Sequence, residues 1–245
     1  MSVLEHCIVP DWPAPSSVKS LQTTRNGGVS VAPWDSFNLG DHVGDAPLAV
    51  ARNRMLLGSL LPSEPVWLKQ VHGTVVIDTE VAGCGAPQAD ACISRHRGAV
   101  CVVMTADCLP VLLCDEQGSV VGAVHAGWRG LCDGVIEQAV AAMDVPPASL
   151  MAWLGPAIGP YAFEVGDEVR AAFIARQPQA DSAFVPHAPG KWLADLCRLA
   201  RLRLEALGVT RIYGGGRCTY SDRERFFSYR RDGVTGRMGS FIWIA

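Results

Sequence analysis

The sequence is poor in charge and has no run of it. Charged residues are 18% of the 245, the formal net charge is -3, and no block of like charges occurs. That argues against nucleic-acid binding through a basic surface. No apolar stretch approaches the ~20 residues that cross a bilayer, so no membrane association is expected. The N-terminal MSVLEHCIVPDWPAP has no basic segment followed by an apolar run and does not read as a signal peptide. No C-x-x-C pair occurs among the nine cysteines, and several sit inside apolar runs, such as Cys101 in AVCVVM and Cys114 in VLLCD. Reduced, buried thiols in a cytoplasmic protein are the expectation. Internal repeats, low-complexity tracts and long linkers are also missing. Residues 1–245 are therefore expected to form one domain, and nothing marks an obligate protein partner.

What is present is an apolar chain, 49% hydrophobic, able to bury a large core. Its first forty residues are rich in Gly, Pro, Ser and Asn and read as strands and loops. Helical periodicity marks 49–61, 131–143, 165–177 and 191–208, the last with a glycine stop. PVWLKQV (65–71) and AVCVVMTA (99–106) read as strands, and RIYGGG and FFSYRRDGVTGRMGSFIWIA as late strands, the latter with a D-G turn. Strand pairs alternating with helices predict an α/β chain with mixed, largely antiparallel sheets.

The segment TADCLPVLLCDEQGSVVGAVHAGWRG (105–130) carries the chemistry. LPVLLCD and SVVGAVHA flank Glu116-Gln117-Gly118, a hairpin signal. Centred between Glu116 and Gln117, the hairpin sets Asp115 opposite Gly118, Val111 opposite Gly122 and Cys108 opposite His125. Opposed residues share a sheet face with Cβ atoms about 5 Å apart. A one-residue change in turn length would spoil that pairing. Three readings fit: core residues, a nucleophile with its base, or two ligands of one metal. A catalytic zinc has three protein ligands and a water. His72, at the close of WLKQVHG, is the best third ligand. His42 in NLGDHVGD is its rival, and His6, His96 and His187 are weaker. In the nucleophile reading Cys108 is the thiolate, His125 its base and His72 an orienter or oxyanion donor. Asp107 is expected to face away and to cap or orient backbone.

HAGWRG runs into the helix predicted at 131, whose first N–H groups and Arg129 could hold a phosphate. A tight strand-to-helix turn with a surface arginine is the favoured reading of these residues alone. GGGR (214–217) lacks the G-K-[ST] ending of a phosphate loop and reads as a flexible turn. TTRNGGVS (23–30) and FNLGDHVGD (37–45) could line a pocket with Arg25, Asn38 and His42 inward.

The motifs TRNGGVS, FNLGDHVGD, VWLKQVHG, MTADCLPVLL, AVHAGWRG, LGPAIGP, FEVG, RCTY, FFSYRRD and TGRM occur in the order found in the YfiH-type family. These laccase-domain proteins are also described as multicopper polyphenol oxidase-like, and the resemblance covers essentially the whole chain. It implies an α/β/β/α sandwich-like fold, similar to cysteine hydrolases of the cytotoxic necrotizing factor type. It implies zinc held by His72, Cys108 and His125. It implies activity on purine nucleosides: phosphorolysis of adenosine, inosine, guanosine or methylthioadenosine, and deamination of adenosine. Bacterial members are also named peptidoglycan editing factors, which makes an amidohydrolase the alternative; a nucleoside-binding regulator with little turnover is a third reading. Six histidines are too few for several copper centres, although one copper could occupy the same three ligands.

Overall fold

The computed structural model describes residues 3–80 and 85–245. In chain order the strands are β1 (Cys7–Ile8), β2 (Val18–Thr23), β3 (Val76–Asp78), β4 (Ala91–Ser94), β5 (Val100–Thr105), β6 (Leu109–Asp115), β7 (Val121–Ala126), β8 (Leu150–Leu154), β9 (Glu164–Gly166), β10 (Phe184–Ala188), β11 (Lys191–Ala194), β12 (Arg211–Gly214) and β13 (Met238–Ile244). The helices are α1 (Pro47–Leu57), α2 (Trp128–Asp133), α3 (Val135–Ala142), α4 (Asp167–Arg176), α5 (Leu196–Ala206) and α6 (Tyr229–Asp232).

Two sheets form the centre. One has the order β1-β2-β13-β5 and is antiparallel; the other has the order β12-β8-β6-β7-β4-β3, with parallel pairs at both edges and antiparallel pairs between. Val103, Ile242, Leu112, Cys114, Ala123 and Met151 fill the space between the sheets. Leu109, Val111, Leu113 and Val124 face the other way, onto Leu131, Ile136 and Leu199 of the helices. On the far side of the first sheet, Leu57 of α1 packs with Phe37, Leu39, Val102 and Phe241. The layers are thus helix, sheet, sheet, helices, as the family resemblance implied. β6 is buried on both faces along its whole length, which is why its sequence reads as one apolar run.

Several local readings need correction. In the β6–β7 hairpin Pro110, not Cys108, lies opposite His125. The turn is longer than expected because the Asp115 carboxylate accepts from Ser119 N, Ser119 Oγ and Val120 N, and Gly118 takes the left-handed φ of 67° that such a loop needs. The displacement is even, so side-chain parity survives, but Cys108 sits just before the strand. The segment 65–71 is no strand: it makes isolated bridges at Val66 and Lys69, and the Gln70 side chain bonds both N–H and C=O of Met104 in place of a ladder. The helix read over 131–143 starts at Trp128 and breaks at Gly134, whose φ is 103°. The helix read from 191 begins only at Leu196, after β11, on an Asp195 cap; that read from 49 begins at Pro47. Asp232-Gly233 ends α6 and is not a hairpin turn.

Candidate metal site

His125 is on β7, with 3% of its surface exposed. Cys108 is half-buried and follows Asp107, whose φ of 93° turns the chain into β6. His72 is exposed and itself has φ 62°. One donor atom from each of the three lies within 4.8 Å of the others, and they form a three-donor group. Cys108 Sγ is 3.7 Å from His72 Nε2. The two imidazoles meet edge to face, with centroids 4.8 Å apart and planes at 71°. Tetrahedral zinc, with bonds of about 2.3 Å to sulfur and 2.0 Å to nitrogen, would set S and N roughly 3.6 Å apart. The donors therefore fit one such ion, with the His72 side open to solvent.

Asp90 builds the site from behind. Its carboxylate is fully buried. Oδ1 accepts from His125 Nδ1 at 2.8 Å and from His72 N at 2.9 Å; Oδ2 accepts from Val71 N at 3.1 Å and Gly73 N at 2.7 Å. The carboxylate at Nδ1 keeps the proton there, leaving Nε2 of His125 free for a metal or for Cys108. The positive φ of His72 is held by the amides on either side of it and its own. Gly127 is equally specific. A Cβ there would lie 2.8 Å from His72 Cδ2 and 3.1 Å from Cys108 Sγ, so only glycine lets the imidazole and thiol close on this turn. A Cβ on Gly130 would meet Gly73 O at 2.7 Å.

Without metal, burial raises the Cys108 thiol, but the His125 charge and hydrogen bonds from His125 and His72 overcome it and bring the pKa down to about 6. His125 moves the other way, to about 9: burial opposes protonation, while Cys108 and Asp90 favour it. The pair is a thiolate and an imidazolium around neutral pH, the protonation state of a soft metal ligand and also of a thiol nucleophile.

Asp107 does cap backbone, as expected. Its carboxylate accepts from Thr219 Oγ1 at 2.6 Å and Arg230 N at 2.7 Å, tying the late loops to the turn before Cys108. Asn38 is buried, donating to Asp45 Oδ2 and Gly40 O and accepting from Gly40 N and Arg237 N. Arg25 bonds Asp35 O and Arg223 O and lies over Phe227. His42 is exposed, 3.4 Å from Asp41. Arg129 is exposed, with its guanidinium over Trp128. None of these four belongs to the three-donor group.

Sequence reasoning missed Asp90, Gln70 and Arg237. Burial pulls the Arg237 guanidinium below its usual range, while Cys108, Asp107 and Tyr229 act in the opposite sense. Its Nη1 is anchored on Thr235 O and Gly236 O. The available signal for Asp90 was an acid set directly against the buried strand ACIS, where an unpaired carboxylate would be costly.

The family described as multi-copper polyphenol oxidoreductase laccase matches residues 19–245. An Escherichia coli K12 protein named purine nucleoside phosphorylase YfiH is 55% identical over 239 residues, covering 97% of this chain and 98% of that relative. A Pseudomonas aeruginosa protein, also named a purine nucleoside phosphorylase, is 55% identical over 238 residues with the same coverage. A Neisseria meningitidis crystal structure superposes with TM-score 0.95 at 53% identity, covering 98% of this chain and 99% of that one. YlmD from Geobacillus stearothermophilus gives TM-score 0.88 at 31% identity, with 95% and 93% covered. Sequence, fold and motif order agree, and the chain belongs to the laccase-domain, YfiH-type family.

Proposed function

We propose that the chain is a cytoplasmic, zinc-dependent purine nucleoside enzyme that phosphorolyses adenosine, inosine, guanosine or methylthioadenosine. The observation that carries this is the His72–Cys108–His125 group, spaced for one tetrahedral ion and open on one side. The names of the relatives supply the substrate class. Zinc, when bound, supplies Lewis acidity beside the substrate.

The chain's own residues have three tasks. Asp90 fixes His125 and the His72 backbone, so the donors are arranged before substrate arrives. Phosphate must be held while its oxygen attacks C1′ and the C1′–N9 bond breaks, with the departing base taking a proton. Arg237, whose Nη1 donates to Thr235 O and Gly236 O, would hold that anion with the rest of its guanidinium. Asn38 acts through Arg237 by accepting from its backbone N–H. His42 and Arg129 are both exposed and would contact substrate, whereas Arg25 is committed to Asp35 and Arg223. The six-residue α2 is too short for the anion site expected at a helix start near 131. Adenosine deamination belongs to the same proposal, but Asp90 and Asp107 are both committed and neither is a free proton carrier.

Two imidazoles and a thiolate also suit copper. A multicopper enzyme needs further centres, and among the described residues one three-donor group is found, which argues for a single ion.

A second reading rests on a specific observation. Cys108, His125 and Asp90 stand in the order nucleophile, base and orienter, as in a thiol hydrolase. That enzyme would cleave an amide, such as one in a peptidoglycan precursor. Chelator-treated protein, its metal content verified, separates the two. Loss of free base and ribose 1-phosphate production, restored by zinc, supports the nucleoside metalloenzyme. Undiminished nucleoside turnover in zinc-free protein overturns it in favour of thiol chemistry.

A further inference from the structure

We infer that Tyr229 is the residue on which the purine base stacks, and that this contact sets the breadth of substrate choice. The inference rests on the nucleoside reading of the site.

Placement comes first. Phe226, Phe227 and Ser228 are fully buried, and the next residue, Tyr229, has 61% of its surface exposed. It opens α6, whose first turn is fastened on several sides. The Ser228 hydroxyl accepts from Arg231 N at 3.2 Å, and Arg230 N donates to Asp107 Oδ2 at 2.7 Å. The Arg231 guanidinium adds bonds to Thr219 O, Tyr220 O and Phe226 O. Asp107 immediately precedes Cys108, so the start of α6 is tied to the turn that carries the thiol donor.

The ring is the uncommitted part. The Tyr229 hydroxyl makes no hydrogen bond among the described residues, and the ring centroid lies 5.9 Å from Arg237 Cζ. Arg237 Cγ packs on Gly40, where a Cβ would stand 2.8 Å from it. The side chain assigned to phosphate is thus bordered by Gly40 at its stem and by an exposed aromatic ring at its head. Phosphorolysis brings phosphate and base to the same carbon, C1′, so a surface for the base must stand beside the cation that holds the phosphate. Tyr161 and Tyr220 are also exposed, but neither ring lies against a cation among the described residues.

The chemistry fits a broad substrate set. A tyrosine ring offers a large flat face at small conformational cost. Stacking reads the π-face that every base has, and not the groups on its edge. Adenosine, inosine, guanosine and methylthioadenosine differ at the base edge or at the 5′ carbon and share the bicyclic face. A stacking residue therefore accepts all four.

Steady-state phosphorolysis by the zinc-loaded protein tests this, with free base and ribose 1-phosphate followed for each nucleoside. Tyr229→Ala should raise KM about 5-fold or more, by a common factor for all four. Its kcat should change little, because the base is held alike before and during reaction. Tyr229→Phe should keep the wild-type KM. Tyr229→Leu keeps bulk but loses the π-face, and should behave like the alanine variant. Equilibrium dialysis of adenosine without phosphate should give the same order of affinities. Far-UV spectra and zinc content should match the wild type in every variant, since the ring is exposed and its hydroxyl bonds nothing. An unchanged KM in Tyr229→Ala overturns the inference. So does full affinity in Tyr229→Leu, a shift that differs among the four nucleosides, or a loss confined to kcat. Wild-type protein that neither binds nor turns over any of them removes the nucleoside reading itself, and the inference with it.

Discussion

Asparagine at position 90 would differ from aspartate by one atom and one charge, yet it should disable the metal site. Asp90 accepts four hydrogen bonds on two buried oxygens. An amide has one acceptor oxygen. Turned towards His125 and the His72 amide, it presents its NH2 to the amides of Val71 and Gly73; flipped, it faces His125 and His72 with a donor. In either orientation two buried donors meet a donor next to a metal ligand. Two charge-assisted bonds are worth about 1.5–3 kcal/mol each, and partial relaxation puts the loss near the low end, roughly 3 kcal/mol. In a chain of this length 1 kcal/mol moves Tm by about 2–4 °C, so metal-free Asp90→Asn should melt about 6–12 °C lower. Loss of a carboxylate behind a metal-binding histidine costs roughly 10–100-fold in metal affinity.

Two assays check this: zinc competition against a chromogenic chelator, and thermal denaturation of the metal-free protein. The acid limb adds a sign. Burial opposes ionisation of Asp90, but the His125 hydrogen bond, the Gly73 and Val71 amides and the His125 charge hold its pKa below the usual 3.8. The folded value is the lower one, so the stabilisation is in place above pH 3.8 and is lost as pH falls below it. Asp90→Asn should lack that part of the acid loss. Wild-type zinc affinity together with a wild-type Tm would refute the claim that Asp90 organises the ligands.

Gly127→Ala should cut zinc affinity by tenfold or more, measured by the same competition, because its Cβ would intrude on His72 Cδ2 and Cys108 Sγ. Unchanged affinity would mean that the turn has slack the contacts do not show. In metal-free protein the alkylation rate of Cys108 should rise with a midpoint near pH 6, where an ordinary thiol titrates near 9; His125 and His72 act on it, and a midpoint above 8 would contradict the thiolate pair. His72→Ala should abolish both zinc binding and turnover, whereas His42→Ala should mainly raise KM; the reverse order would reassign the ligand.

Much of this was legible in the residues because the chemistry is carried by local motifs. His72, Cys108 and His125 each sit beside a glycine, proline or strand end that sequence alone displays. The hairpin parity survived the register error because the Asp115 loop displaces both arms by an even number. Tertiary substitution was not legible. Gln70 replaces a ladder with its own amide, so an apparent strand over 65–71 is held by a side chain. Gly134 falls inside a helical period and says nothing, as a letter, of its φ of 103°. Asn38 looked like a pocket residue because polar, glycine-rich loops resemble ligand loops. In the fold it is one member of a buried network with Ser30, Asp45 and Asn53 that stiffens those loops. Asp90 lies between His72 and Cys108 in the chain and was missed because its four bonds are made by the fold and not by a local motif; Arg237 comes from the far end of the chain.

The donors are held by contacts within the polypeptide. His125 is held by β7 and Asp90, the backbone at His72 by three amides on the same carboxylate, and the turn before Cys108 by Asp107 on Thr219 and Arg230. This is unlike a small zinc module, where binding energy is folding energy. Here the layered core supplies the fold, and an ion held by the three donors would add its binding energy to it. Chelation should therefore leave the far-UV signature of the protein intact while it empties the site. That is also why metal and thiol chemistry can be told apart in one preparation: the same Cys108, on the same scaffold, would be a shielded ligand with zinc bound and is a thiolate beside an imidazolium without it.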